Sequence, residues 1–176
     1  MTNLVDISDL AGYKYIADSV KNSTVWPQFV SEAQLLDVKW WLGDALLAEL
    51  WTQAETSPTS FSDDNTTLLN GGSYTYLDEE YYFQGLKAVI MYYAFSRFTS
   101  RQPYNYTAAG ITVKDSDFST PASDKAVQRL AIEAKLQGDA VKDELILYLN
   151  RNYATYPLWK SCRVKHKPRT FVVWGD

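Results

Sequence analysis

The sequence LDEEYYFQGLKAVIMYYAFSRFTSR, residues 77–101, is the longest stretch of the chain that is both helical in pattern and apolar on most sides. Its apolar residues recur at three- and four-residue spacing on one helical face, and further aromatic residues occupy a second face. A helix that is apolar on two faces packs between partners, so the sequence predicts a central core helix over residues 78–101. Three carboxylates at residues 78–80 suit the positive end of such a helix, and Arg101 suits its C-terminal end. Polar residues interrupt the stretch too often for it to span a bilayer. The first face comprises Leu86, Val89, Ile90, Tyr93, Ala94, Arg97 and Phe98, and the second comprises Tyr82, Phe83, Met91, Tyr92 and Phe95.

Three other segments carry helical patterns, at residues 7–20, 28–53 and 121–152. The apolar residues of the second segment follow alternating steps of four and three, which lays a narrow seam against a neighbouring helix. Gly43 interrupts that segment at a cost of roughly 1 kcal/mol relative to alanine, so we expect another backbone to approach it closely. Gly138 is a candidate kink in the last helix. The seam consists of Phe29, Ala33, Leu36, Trp40, Gly43, Leu47, Leu50 and Trp51.

Two long irregular stretches separate these helices, at residues 52–76 and 102–119. The sequence Asn-Gly-Gly at 70–72 is a turn signal and indicates a small hairpin, while residues 110–113 have the composition of a short strand. Loops of this length inside a compact domain usually carry a function or are disordered. The predicted fold class is therefore mainly α: a small bundle of about four helices with long loops and an extended C-terminal arm.

The charge of the chain is unevenly distributed. Its 176 residues suit one domain, which we place at residues 1–159, followed by an arm at residues 160–176. The arm holds five basic residues against one acidic residue, a net charge of +4, whereas the whole chain carries −4 and the domain therefore −8. An acidic domain does not favour bulk binding to nucleic acid. The single cysteine and the lack of a secretion signal are typical of a protein made and kept in a reducing cytoplasm.

Candidate catalytic and metal-binding residues are few. Cys162 and His166 could form a nucleophile and its base, but a charged terminal arm offers neither a rigid pocket nor an orienting third group. The acidic residues at 63–64 and 115–117 could ligate a hard cation, yet they complete no known metal-binding loop. We therefore predict no catalytic residue, no cofactor and no metal site, and we expect a protein that is not an enzyme.

Three runs of the sequence resemble one known family. LLNGGSYTY at 68–76, FQGLKAVIMYYAFSRF at 83–98 and TAAGITVKDSDFSTPASDKA at 107–126 are similar to the head-tail connector proteins, also called adaptor or neck ring proteins, of tailed bacteriophages, including the crAss-like and other Bacteroides phages. The resemblance covers roughly residues 20–160. It implies a helical protomer that forms a ring, commonly a dodecamer, docked beneath the portal protein at the capsid vertex and beside other neck or tail proteins. It also implies no membrane, contact with packaged DNA only as the DNA passes the channel, and a virion protein made in the cytoplasm of the host bacterium.

Surplus aromatic residues and the basic arm form the predicted interface with another protomer or with the portal. Trp40 and Trp41 lie about a third of a turn apart, so they cannot face the same partner, and we expect one of them to meet a second surface. The tyrosines near the central helix exceed what one small core buries. The alternative is that amphipathic side chains cap the core with their polar ends in water. The predicted interface residues are Trp40, Trp41, Tyr81, Tyr82, Tyr92, Lys160, Arg163, Lys165, Lys167, Arg169, Phe171, Val173 and Trp174.

The arm ends in the strand-like sequence Phe-Val-Val-Trp at residues 171–174. We expect the arm to leave its own protomer and dock on an adjacent ring or portal subunit. The alternatives are that it folds back over its own bundle or contacts DNA phosphates. The functional alternative to a connector is a nucleic-acid-binding or other non-enzymatic helical interaction protein that uses this arm.

Overall fold

Helices make up most of the described chain, so the predicted mainly α fold is confirmed. The computed structural model describes residues 2–10, 25–56, 61–101, 104–107, 110–113 and 123–160. Within these ranges no helix combines the length and the hydrophobicity that crossing a bilayer requires. In chain order the elements are α1 (Ile7–Leu10), α2 (Trp26–Ala33), a π-helical turn (Gln34–Val38), α3 (Lys39–Leu42), α4 (Asp44–Thr56), α5 (Asp63–Asn70), β1 (Gly72–Tyr76), β2 (Glu79–Phe83), α6 (Gly85–Arg101), β3 (Tyr104–Thr107), β4 (Gly110–Val113) and α7 (Asp124–Arg151).

Helix α6 lies at the centre of the core, as the sequence predicts. It packs along α7 and also contacts α2 and α5, so its apolar residues are covered from several sides. Val89, Ile90 and Met91 are fully buried although they are consecutive and point in different directions. Burial of this kind contributes about 1.5–3 kcal/mol for each large apolar side chain, which explains why the two-faced apolar pattern determines the fold.

The prediction that the central helix begins at residue 78 is wrong. Residues 79–83 form β2, which pairs antiparallel with β1, and the helix begins only at Gly85. Leu77 and Asp78 turn the chain with φ values of 51° and 65°. The Tyr- and Phe-rich sequence favours a strand here over the helix that the three carboxylates suggested. A Cβ on Gly85 would overlap the backbone near Asn70, so the chain can enter α6 at this point only through a glycine.

The segment predicted as one helix over 28–53 is interrupted twice. A π-helical turn follows α2 and rotates the apolar stripe, because each extra residue shifts the pattern by about 100°. Gly43 then breaks the helix with a φ of 89°, and a Cβ placed on it would meet nothing within 4 Å. The predicted close approach of another backbone at Gly43 is therefore wrong, since the glycine serves the change in backbone direction. As a result Leu36 and Trp40 of the predicted seam are exposed.

Helix α5 lies inside the stretch at residues 52–76 whose composition predicts a loop, so that prediction is wrong for residues 63–70. Its Ser, Asp and Asn residues read as irregular, but they occupy the cap and the first turn, where such residues stabilise helices. The side chain of Ser62 accepts a hydrogen bond from the backbone N–H of Asn65 at 3.4 Å. The turn signal at 70–72 ends this helix and leads into β1, whereas the hairpin turns at Leu77 and Asp78.

The second hairpin and helix α7 decide two further predictions. The predicted strand at 110–113 is confirmed as β4, paired with β3. Helix α7 runs unbroken through Gly138, so the predicted kink is wrong. A Cβ on that glycine would lie 3.1 Å from the ring of Tyr93, and its role is to let α6 approach. Helix α7 begins after the cap residue Ser123, while the predicted cap at 120–121, most of the first predicted helix and residues 161–176 of the arm lie outside the described residues.

Candidate functional site

The two adjacent tryptophans of the predicted interface have opposite environments. Trp40 exposes 58% of its surface, whereas Trp41 exposes only 2%. The ring of Trp41 packs edge-on against Trp159, with the centroids 6.5 Å apart. A side chain buried in its own protomer cannot line a contact between protomers, so the prediction for Trp41 is corrected. Trp40 lines an open cleft of about 320 Å³ together with Leu35 and Lys39. Leu36 is also exposed, and we call the side chains of Trp40 and Leu36 the Trp40 surface.

The β1–β2 hairpin presents two unlike faces. On its inner face Tyr74 stacks on Tyr81 at 5.6 Å and meets Tyr148 of α7 edge-on at 5.1 Å. On its outer face Tyr82 is 73% exposed, and Leu77 at the turn is also exposed. Leu77 lies at the turn and Tyr82 near the open end of the hairpin, opposite Ser73, and we call these two exposed side chains the hairpin surface. The side chain of Tyr81 therefore packs within its own protomer, whereas the exposed side chain of Tyr82 can contact a partner.

Arg151, at the C-terminal end of α7, attaches the hairpin to the bundle. Its guanidinium carbon lies 4.1 Å from the centroid of the Tyr81 ring and 4.6 Å from that of the Tyr76 ring. It also donates a hydrogen bond of 2.9 Å to the hydroxyl of Tyr74, which raises the pKa of the guanidinium. Tyr81 donates to the carboxylate of Glu79 at 2.8 Å, and that hydrogen bond raises the pKa of Tyr81. Cation–π contacts of this type hold the hairpin strands against the end of α7.

Tyr92 and Lys160 are the other residues of the predicted interface that the structure describes. Tyr92 is half-buried between α6 and α7, where its Cβ would lie 3.2 Å from a Cβ on Gly138, so it packs at the edge of the core. Lys160 is exposed at the end of the described chain. The predicted residues Arg163, Lys165, Lys167, Arg169, Phe171, Val173 and Trp174 lie outside the described residues, as do Cys162 and His166.

A network of charged groups at the other end of α6 was not predicted. Arg97 donates two hydrogen bonds to the carboxylate of Asp37, at 2.7 and 3.0 Å, and these raise the pKa of the guanidinium. Arg101 donates to both oxygens of Glu32 at 2.8 Å. The pairs connect α6 to α2 and to the π-helical turn. Spacing alone could not reveal them, because their members are separated by more than fifty residues in sequence.

The titratable side chains between α6 and α7 have structural partners. Tyr93 donates a hydrogen bond of 2.7 Å to Asp139, which also pairs with Lys142 at 2.7 Å. Burial, followed by this hydrogen bond, raises the pKa of Tyr93. Burial opposes the ionisation of Asp139, but the hydrogen bonds from Lys142 and Tyr93 outweigh it and lower the pKa of that carboxyl. With its pKa raised, the hydroxyl of Tyr93 stays protonated and serves as the hydrogen-bond donor to Asp139.

A small pocket of about 220 Å³ lies between α4, α5 and the turn after α7. Asn65 donates from its side chain to Glu49 at 3.1 Å, and the hydroxyl of Tyr156 donates to the backbone carbonyl of Asp64 at 2.7 Å. Tyr148 in turn donates to Tyr156 at 2.9 Å. These polar groups satisfy one another. Among the described residues, no group of three or more His, Cys, Asp or Glu side chains could hold a metal ion.

Comparison with known proteins gives one match. The model of the family DUF6712, described as a family of unknown function, matches residues 38–169. That range begins within the π-helical turn and includes α6, α7 and both hairpins. No curated protein and no solved structure matches the chain.

Proposed function

The chain belongs to DUF6712, a family of unknown function, and we propose that it is a head-tail connector of a tailed-bacteriophage virion. In this proposal it is a structural protein and not an enzyme. It forms a homo-oligomeric ring, by resemblance a dodecamer, that docks on the portal protein at the capsid vertex. The ring adjoins other neck or tail proteins and surrounds part of the DNA passage.

The observation that carries the proposal is a pair of unlike exposed apolar surfaces, the Trp40 surface and the hairpin surface. The Trp40 surface follows the π-helical turn, in which Asp37 binds Arg97 of α6. The hairpin surface precedes Gly85, the first residue of α6. The two surfaces therefore belong to different elements of the fold, one after the π-helical turn and the other on the hairpin.

Two unlike surfaces suit a ring. In a head-to-tail contact each protomer offers one surface to the neighbour before it and another to the neighbour after it, and the series closes when the rotation closes. Exposed Trp and Tyr are enriched in such contacts, because they bury a large area at a small cost in side-chain entropy.

The charge of the chain fits passage of DNA better than retention of DNA. Residues 1–159 carry −8, so a channel lined by this domain repels phosphates and does not hold them. The arm, at +4, would be attracted to an acidic neighbour and serve as the contact with the portal or the next protomer. In a seated ring each arm contact becomes effectively intramolecular, which multiplies a weak interaction.

The test is assembly with the portal protein of the same virion. We expect native mass spectrometry and electron microscopy of the mixture to show a ring of this chain on the portal. Trp40→Ala and Tyr82→Ser should each reduce assembly while the circular dichroism of the free protomer stays unchanged. Tyr153→Ser, at an exposed tyrosine outside both surfaces, is the matched control and should assemble normally. A protomer that never joins the portal would refute the proposal.

A second candidate is nucleic-acid binding through the basic arm, favoured by the local charge of +4. Such binding would weaken steeply with salt, because cationic side chains release counterions from phosphates. Removing residues 161–176 should abolish it. Tight, salt-dependent binding to DNA by a chain that does not join the portal would favour this candidate over the connector.

A further inference from the structure

The outer face of α7 carries an apolar stripe. Ile132, Leu136 and Leu147 are 59%, 63% and 53% exposed, and Ala140 is also exposed. Residues 136, 140, 143 and 147 follow steps of four, three and four, which aligns them along one side of a helix. The inner side of α7 packs on α6, with Ala134, Val141 and Leu145 buried there. The stripe is thus a second apolar side on a helix whose first side already lies in the core.

Charges on the stripe are ordered along the helix. Lys125 and Arg129 are exposed on the same side near the N-terminal end, and Asp143 is exposed on it beyond the apolar centre. Lys142 bonds closely to Asp139, at 2.7 Å, and lies 3.9 Å from Asp143. The carboxylate of Asp143 retains 75% of its side-chain exposure and can still accept a partner. A face that is positive at one end and negative at the other complements an antiparallel copy of itself.

We infer that a second copy of this chain packs on this face, with the two α7 helices antiparallel about a two-fold axis at Leu136. Arg129 and Asp143 each lie seven residues from Leu136, about 10 Å along the helix. In this register Arg129 of each chain faces Asp143 of the other, and Ile132 faces Ala140. Leu136 meets its own counterpart on the axis. The two ion pairs then flank an apolar centre, as in known interfaces.

This contact goes beyond the proposed ring and does not depend on it. A two-fold contact uses the same surface on both chains and closes after two copies, whereas a ring needs unlike surfaces. A single pair of helices buries less than the roughly 1,200 Å² of a standard stable complex. The dimer should therefore be weak, with a dissociation constant in the micromolar range. The ion pairs fix the direction and register of the helices more than the affinity.

The experiment is sedimentation equilibrium of the full chain with charge-reversal variants. Arg129→Asp places acid against acid at both contacts, and Asp143→Arg places base against base. Each variant alone should associate at least about tenfold more weakly than the natural chain, because like charges face each other in the dimer. An equimolar mixture of the two variants should recover the association, because every contact then pairs an acid with a base. Glu80→Arg, the same charge change on the exposed hairpin, is the control and should dimerise normally.

A disulfide test fixes the register. In a Cys162→Ser background, Leu136→Cys should form a dimer when treated with oxidised glutathione, because its two copies meet on the axis. Leu147→Cys should not, since its two copies would lie about 33 Å apart by helical rise, far beyond the 7 Å that a disulfide can bridge. Circular dichroism of each variant confirms folding, and both cysteine positions in α7 are exposed.

The outcomes separate this inference from the proposed function. A natural chain that stays monomeric to roughly 500 µM, well above the micromolar range, overturns the dimer even if the chain forms a ring on the portal. A dimer that resists both charge reversals, or a mixture no stronger than its components, shows that another surface is used. If the chain forms the expected dimer but never joins the portal, this inference stands and the proposed connector function is refuted.

Discussion

Replacing Trp41 with alanine should destabilise the isolated protomer severely. The side chain is 2% exposed and packs edge-on against Trp159, so the substitution removes buried apolar surface and leaves a cavity. Substitutions of this class cost about 3–5 kcal/mol. The indole N–H of Trp41 has no hydrogen-bond partner in the structure. Its removal therefore relieves an unsatisfied donor, and we expect a loss of about 3 kcal/mol, at the lower end of that range.

The neighbouring residue supplies the control. Trp40→Ala changes the same side chain one position earlier in the sequence, but Trp40 is 58% exposed. Its cost to the free energy of unfolding should lie within about 0.5 kcal/mol. Urea denaturation followed by far-ultraviolet circular dichroism measures both. A double-mutant cycle with Trp159→Ala should show coupling with Trp41 and none with Trp40. Equal costs at positions 40 and 41 would refute the assignment of one tryptophan to the core and the other to the surface.

Three further predictions concern the backbone, the ion pairs and pH. Gly85→Ala should lower the free energy of unfolding, measured by urea denaturation, clearly more than Gly43→Ala. Both glycines have positive φ, which costs a substituted residue about 1–2 kcal/mol, but only at Gly85 would the added Cβ also overlap backbone. Equal losses would contradict the close approach at Gly85. Arg97→Met should lose about 1–3 kcal/mol of unfolding free energy because it leaves the half-buried carboxylate of Asp37 without its donor, whereas Lys39→Met, which breaks an exposed pair with Asp44, should change it by less than about 0.5 kcal/mol; the reverse order would contradict this assignment. The pKa of Asp139 is lower in the folded chain than in the unfolded chain, so its stabilising effect is present above the unfolded pKa, near 3.9, and is lost as pH falls through the folded pKa. Asp139→Asn should therefore flatten the decline of the unfolding free energy in acid, as measured by urea denaturation from pH 6 to pH 2. An unchanged slope would mean that Asp139 titrates alike in both states.

The sequence was most reliable where one physical effect dominates. The two apolar faces of residues 86–98 have no stable arrangement except burial on several sides, so the central helix could be predicted from periodicity alone. The long pattern of α7 could be predicted for the same reason. The strand at residues 110–113 followed from its β-branched composition. Each of these predictions rests on local pattern, and each holds in the structure.

The candidate surfaces were only partly predictable. Adjacent tryptophans must point in different directions, so the sequence required that one of them differ from the other. It could not decide which one is exposed, because the π-helical turn and the break at Gly43 change the phase of the stripe. The stripe on α7 was also missed. Leu136 and Leu147 are ordinary helix residues until the position of α6 shows that they face away from the core.

The sequence by itself determined a mainly α domain around one two-faced helix, with an acidic body and a basic end. Composition, charge and apolar periodicity are properties of the chain that no packing arrangement removes. The tertiary structure alone decided that residues 79–83 form a strand, because the paired partner in β1 and the cation–π contacts of Arg151 outweigh the helical signal of three carboxylates. It also decided the pairs of Asp37 with Arg97 and of Glu32 with Arg101, since their members meet only after α2 has packed on α6. Such contacts depend on the distance between residues far apart in the chain, which is fixed only when the core closes.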